Sequence, residues 1–230
     1  MRYIYCHPLF DERKCAHRFS YQLKRAFETK GATLKRFDYQ GTGEATGRFA
    51  DVSLESLRND TTQFIAGRQV SLIGTRFGAS LAFDYCANRA IKVNNLILLE
   101  PVIDGAEYID YLYRRQHVKN LMTGKPEHQR QDDAYINLEG YKTSIAFIEQ
   151  IKNFSLLESA TKYSVKNSVF IVCVPNRSKI DQKIADLAAI LRNSAAKVQV
   201  VGINLPPFWE RIPVADYTEL TQKIVEWCCD

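Results

Sequence analysis

Apolar and polar positions alternate along the chain in two rhythms. "RYIYC" (2–6) reads as a short strand. Over residues 14–30 the period lengthens, and Phe19, Leu23, Ala26 and Phe27 fall on one helical face that stops at Gly31. "TLKRFDY" (33–39) reads as a strand, "GTGEATG" (41–47) as a glycine-punctuated loop, and Ser53 as the N-cap of a helix carrying Leu54, Leu57, Phe64 and Ile65. The same alternation continues with strand 69–74, helix 77–90, strand 94–101, strand 168–174, helix 180–194, strand 197–203 and a last helix at 216–228. Strands separated by helices predict a parallel sheet covered on both faces, joined by right-handed crossovers.

One stretch breaks the rhythm. Residues 104–164 lie between two core strands yet are polar and mostly helical: "AEYIDYLYRRQHVKNLM", a loop "TGKPEHQRQDD", a strand "AYINLEGY" and a helix "TSIAFIEQIKNF". An insertion at this place in an open α/β sheet is expected to form a lid over the C-terminal strand ends, where such folds bind ligands. The alternative is an added helical layer with no gating role. The expected organisation is one domain over 1–230 with this insertion inside it.

Composition narrows the class. At 230 residues, 46% hydrophobic and 25% charged, the chain has the make-up of a globular domain. The net charge of +5 falls short of the basic stripes of nucleic-acid binders, so no nucleic-acid partner is expected. The opening "MRYIYCHPLF" is too short and polar for a signal peptide, and no apolar run reaches the 18 or more residues of a membrane span. The six cysteines, at 6, 15, 86, 173, 228 and 229, show no zinc spacing and read as reduced cytoplasmic thiols. Gly41, Gly43 and Gly47 are followed by no Gly-Lys-Ser/Thr, so they cradle no phosphate, and no cofactor is implied. Nothing in the pattern sets an oligomeric state.

The chemistry concentrates at "SLIGTRFGASLAF" (71–83): a strand runs into a tight turn between Gly74 and Gly78, and a helix follows. This is the context of the G-x-S-x-G nucleophile elbow, but Arg76 stands where the serine would be. A guanidinium stays protonated and serves neither as nucleophile nor as base. The remaining triad positions are equally bare. After "SVFIVCV" comes "PNRSKID", with Asn176 and Ser178 at the turn and Asp181 already at the helix. After "KVQVVGI" comes "NLPPFWE", and the four histidines, at 7, 17, 117 and 128, all precede it. Serine-type hydrolysis at this elbow is therefore not expected.

What survives is the anion-binding half of such a site. The Phe77 N–H and the positive end of helix 77–90 point into it, and the loop around Leu9 and Phe10 would supply a second N–H. Arg76 adds a fixed charge and a planar donor fork suited to a carboxylate or phosphate. An unpaired buried guanidinium is costly, so contact with Glu12, Asp11 or Glu100 is expected. Two alternatives stay open: a pair that fills the site, and a pair that leaves room for an anionic ligand.

Weaker candidates remain. Cys6 and His7 could act as nucleophile and base, but neighbours on a strand face opposite ways, and a buried thiol is the commoner reading. His117 and His128 are lid residues that could serve displaced chemistry. Ser80 is expected to bond a carbonyl, and Asp84 to be a pairing residue. Asp38 resembles a structural acid that orders the loop after it. Arg114, Arg115, Lys119, Lys125 and Arg130 form a basic run, read as a solvated face. Tyr108, Tyr111, Tyr113, Phe208 and Trp209 read as core or pocket lining.

Taken together these elements resemble the α/β-hydrolase superfamily over nearly the whole chain, starting at the third strand of the usual fold. The resemblance implies a three-layer architecture. "HPLFDERK" (7–14), "FDYQGTGEATG" (37–47), "GTRFGASLA" (74–82), "LLEPVIDGAEYI" (98–109), "LEGYKTS" (138–144) and "PPFWE" (206–210) are similar to the exosortase A system-associated hydrolases, of which one branch carries arginine at the elbow. His7-Pro8-Leu9 departs from that branch's Pro-Pro run, and Lys14 from its Asn. The resemblance implies a setting in bacterial exopolysaccharide or protein-sorting loci and no particular reaction. Three functions follow: a non-hydrolytic binder of an anionic small molecule, an ester or thioester hydrolase or acyltransferase with displaced residues, and an interaction scaffold with a closed pocket.

Overall fold

A computed structural model describes residues 2–65, 69–89, 93–124, 130–162, 168–174, 180–195, 197–210 and 216–229. In chain order its elements are β1 (Arg2–Cys6), α1 (Phe10–Cys15), α2 (His17–Thr29), β2 (Thr33–Arg36), α3 (Leu54–Ile65), β3 (Ser71–Thr75), α4 (Phe77–Arg89), β4 (Asn95–Leu99) and α5 (Gly105–Thr123). They continue with β5 (Arg130–Asp132), β6 (Tyr135–Leu138), β7 (Tyr141–Ser144), α6 (Ile145–Lys152), α7 (Leu156–Lys162), β8 (Ser168–Cys173), α8 (Gln182–Arg192), β9 (Lys197–Gly202) and α9 (Thr218–Cys229). The chain divides into two compact units: residues 1–37, 63–103 and 156–230 form one, and 38–62 with 104–155 form the other. Of the stretch 104–164, α7 lies in the first unit and residues 104–155 in the second.

The first unit is built on a six-stranded sheet in the order β2-β1-β3-β4-β8-β9, every pairing parallel. Parallel strands covered on both faces need apolar side chains on both, and "SLIGT", "NLILL" and "SVFIVC" supply them. Tyr3, Tyr5, Ile73, Ile97, Leu99, Phe170 and Val172 form one core with Phe19, Leu23 and Phe27 of α2 and Leu220, Ile224 and Val225 of α9. On the other face α4 packs on β1, β3 and β4 and against α7, which packs on α8. The outer strands β2 and β9 are the polar ones, with Lys35, Arg36, Lys197 and Gln199.

Strand order fixes where a ligand can bind. From β1 the chain steps outward to β2, then returns to place β3 on the other flank of β1. The reversal leaves a crevice beyond the carboxyl ends of β1 and β3, the general ligand position of open α/β sheets. Register brings Cys6 level with Gly74, and Thr75 level with Leu99, so the loops after β1, β3 and β4 emerge together.

The second unit holds the antiparallel sheet β5-β6-β7 with α5 and α6. Asp104 caps α5 by accepting from the Ala106 and Glu107 N–H groups, Ser144 caps α6 by accepting from Phe147, and Phe49 packs its ring on Tyr141. Two elements differ from the sequence reading. "AYINLEGY" is a hairpin, because Glu139 (φ 55°) and Gly140 (φ 88°) make a two-residue turn with both φ positive. Part of "TGKPEHQRQDD" is strand β5, while residues 125–129 lie outside those described. In the first unit, the helix anticipated from residue 14 begins at Phe10 and is divided at Ala16.

Candidate functional site

The elbow forms because three backbones meet there. Arg76 takes φ 55°, a conformation that side-chain-bearing residues seldom adopt. Glycines on each side make it possible. A Cβ on Gly78 would sit 2.1 Å from the His7 carbonyl oxygen, and one on Gly74 would sit 2.4 Å from the Ala79 Cα. The bend is fixed by the Arg76 N–H donating to the Leu99 carbonyl at 2.9 Å, and by the Arg76 carbonyl accepting from Ala79 at 2.9 Å. Ser80 Oγ donates to the Val102 carbonyl at 2.6 Å, a structural use of that hydroxyl.

The Arg76 guanidinium meets groups from helix α1 and from the segments after β4 and β9. Its Nε donates to Glu12 Oε1 at 3.2 Å, and its Nη1 donates to the Glu100 carbonyl at 3.4 Å. The Trp209 ring lies 5.1 Å from the guanidinium carbon, within cation–π range. Glu12 is fully buried, whereas the Arg76 side chain keeps 14% of its surface exposed. Phe10, also at positive φ (54°), turns the chain from β1 into α1 and so delivers Glu12. Glu100 (φ 42°) differs from expectation: it reaches Arg76 through its main-chain oxygen, while its carboxylate accepts from the Val174 N–H at 2.5 Å. Asp11 pairs with Lys14 at 3.8 Å.

Leu9, Phe10 and Phe77 are all buried around the elbow. Cys6 and His7 are buried as well, and the structure keeps them apart in role. His7 stands edge-on to the Tyr5 ring with centroids 4.9 Å apart, and Cys6 lies toward Cys86 of α4, whose thiol is pushed well up by burial. Tyr5, whose hydroxyl is likewise raised by burial, hydrogen-bonds Thr75 Oγ1 at 2.8 Å and steadies the strand just before the elbow.

Asp181 is the N-cap of α8, its carboxylate accepting from the Lys183 N–H at 2.9 Å. Asn176, Ser178 and His128 lie outside the described residues. Among the described residues no group of three or more His, Cys, Asp or Glu could hold a metal. Phe208 is a core residue, its ring tilted against Phe19 and edge-on to Tyr217. Trp209 was legible only as pocket or core. Its contact with Arg76 is signalled by its place after the last strand, where a triad histidine would follow.

In the second unit, Asp38 accepts from the Glu44 N–H at 3.0 Å and so orders the glycine loop. His117, Arg114 and Lys119 are exposed on α5, but Arg115 departs from the solvated-face reading: it pairs at 2.6 Å with Glu139, whose side chain is fully buried. The Glu139 N–H donates to Gln116 Oε1, and Gln116 donates to the Asn137 carbonyl, so the β6–β7 turn is tied to α5. Lys125 and the Arg130 side chain fall outside the described residues.

The strand order, the elbow after β3 and the helices on both faces define an α/β-hydrolase fold. Several hundred solved chains share it. Bromoperoxidase from Bacillus anthracis superposes with a TM-score of 0.65 at 12% identity, covering 100% of this chain and 92% of its own. Est1E from Butyrivibrio proteoclasticus, solved with bound ferulic acid, gives 0.63 at 14%, covering 99% and 87%. The monoacylglycerol lipase of Paleococcus ferrophilus gives 0.62 at 14%, covering 98% and 93%. At such identities the likeness speaks for the fold. No protein-family model and no curated protein matches the sequence.

Proposed function

We propose that this chain is an α/β-hydrolase-fold protein that does not hydrolyse esters at its elbow and instead binds an anionic small molecule there, a carboxylate or an acyl- or sugar-linked anion. The observation that carries the reading is Arg76 itself: a permanent cation at the tip of the elbow, held by Glu12, the Glu100 carbonyl and Trp209, and still 14% exposed. A guanidinium clamped on one side is pre-organised to receive an anion on the other. The N-terminus of α4, starting at Phe77, adds its partial positive charge, and the chain around Leu9 and Phe10 borders the same crevice. The similarity of residues 7–14, 74–82 and 206–210 to exosortase-associated hydrolases supports a sugar-linked anion among these.

A second reading draws on the Glu12 pair. If Glu12 satisfies the guanidinium fully, the crevice is closed and the protein is a scaffold. Two measurements separate the readings. Turnover of activated esters and thioesters by wild type and by Arg76→Ala is expected to stay at background; turnover that depends on Arg76 would make this an enzyme with displaced chemistry. Thermal shift against simple carboxylates, acyl phosphates and sugar phosphates is expected to raise the wild-type Tm and leave Arg76→Gln/Glu12→Gln unmoved. A panel that moves neither protein favours the closed scaffold.

A further inference from the structure

The six-stranded sheet ends differently on its two sides. At one edge β2 is four residues long and carries Lys35 and Arg36. At the other edge β9 is six residues long, and Val198, Gln199, Val200 and Val201 lie between Lys197 and Gly202 with no charge among them. A strand paired on one side only leaves the N–H and C=O of every second residue turned outward. The pairing of β9 runs to β8, and among the described residues no backbone group of 197–202 bonds outward. Length, β-branched side chains and lack of charge make β9 the edge that another strand fits.

The strand suits a second copy of itself. Two β9 strands related by a two-fold axis perpendicular to the sheet run antiparallel. Residues opposite each other in such a pair share a face of the sheet. The axis therefore passes beside a residue near the middle, Gln199 or Val200, and that residue meets its own copy. With the axis at Gln199, Lys197 stands opposite Val201; with the axis at Val200, it stands opposite Ile203. Neither register sets lysine against lysine.

The flanks match as well. Helix α8 packs on β9, and Asp186, Ala189 and Arg192 are exposed along it. Asp186 and Arg192 are equally spaced about Ala189, so an antiparallel copy of α8 centred there sets opposite charges against each other twice. On the other face Trp227 of α9 stacks on Phe170, the residue of β8 level with Gln199, and Trp227 and Val201 are both half-buried at the margin of the core. A half-buried tryptophan beside an open edge is the residue type that anchors protein interfaces.

We infer that two copies of this chain pair antiparallel through β9 and join their sheets into one. The axis turns the carboxyl ends of the two sheets in opposite directions, so each copy keeps its own crevice at Arg76. β9 lies three strands from β3, about 14 Å at the usual strand spacing, so the pairing stands clear of the elbow.

Sedimentation velocity on the full chain over a concentration series tests it. Wild type is expected to show a monomer–dimer equilibrium and no larger species. Gln199→Lys and Val200→Lys put like charges at or beside the axis, and each is expected to raise the dimer Kd roughly tenfold or more. Gln199 is exposed, so Gln199→Lys should match wild type in far-UV circular dichroism and Tm. Asp186→Arg is expected to weaken the dimer, and Asp186→Arg/Arg192→Asp to restore it. Cysteine crosslinking reads the register. Cys229 is exposed and the other five cysteines are buried, so Gln199→Cys or Val200→Cys is added to Cys229→Ser. Mild oxidation is expected to give a disulfide-linked dimer with one of the two. The inference is overturned by a monomer at every concentration, by a dimer that both lysine variants leave unchanged, by a charge swap that restores nothing, or by no crosslink with either cysteine. A ladder of larger species overturns it too, since β9 seated on β2 of the next copy builds an open filament.

Discussion

In the Arg76–Glu12 pair, as in Arg115–Glu139, the carboxylate side chain is fully buried and the guanidinium nearly so. Removing the cation leaves a carboxylate in a low-dielectric site, and that uncompensated charge outweighs the lost contact. Arg76→Ala is expected to cost roughly 2–4 kcal/mol, discounted from a fully enclosed pair because the guanidinium keeps some exposure. Arg76→Gln/Glu12→Gln is expected to recover more than half of that loss; urea unfolding of wild type, Arg76→Ala and the double variant measures it. The arginine's place at the elbow was legible from Gly74 and Gly78. The side of Glu100 that it meets was not. A sequence shows a carboxylate at the end of a strand, but the φ of 42° that turns the main-chain oxygen toward Arg76 and the carboxylate toward Val174 follows from packing. Trp209 was hidden for a related reason: an aromatic after the last strand fits core, pocket lining or cation–π contact equally well.

At the scale of elements, glycine marks where backbones touch. Gly78 and Gly31 look alike in sequence, and the structure separates them. The carbonyls of Cys6 and His7 lie 2.4 and 2.1 Å from a Cβ at Gly78, whereas nothing lies within 4 Å of one at Gly31. Gly78→Ala must push β1 away from α4, and a loss of about 3 kcal/mol or more is expected, read as little folded protein in a soluble-expression assay. Gly31→Ala bears only its left-handed φ of 68°, a cost of about 1–2 kcal/mol in thermal unfolding. The core strands and the long helices were legible because burial on both faces imposes apolar runs and because 3.6-residue stripes persist over many turns. The hairpin β6–β7 was not, since its turn uses Glu139 where asparagine or aspartate commonly stands. Glu139 is held there by Arg115 and Gln116, contacts remote from it in the chain.

Across the whole molecule, several ionisable groups are buried in their neutral forms. Burial pushes the Cys228 thiol up to about 12 and raises Cys86, Tyr3 and Tyr5 as well. Each holds its proton more tightly folded than unfolded, so its contribution is complete below the unfolded value, roughly 8.5 for cysteine and about 10 for tyrosine. That contribution is lost as pH rises toward the folded value. The urea midpoint is therefore expected to fall steadily above roughly pH 9, and Cys228→Ala to fall less steeply over the same range. The Leu156 N–H donates to the Ile103 carbonyl at 2.9 Å, and Asp104 bridges Ser155 just inside. The two ends of the segment 104–155 are thus clasped side by side, so an insertion or deletion between them need not pull Ile103 and Leu156 apart.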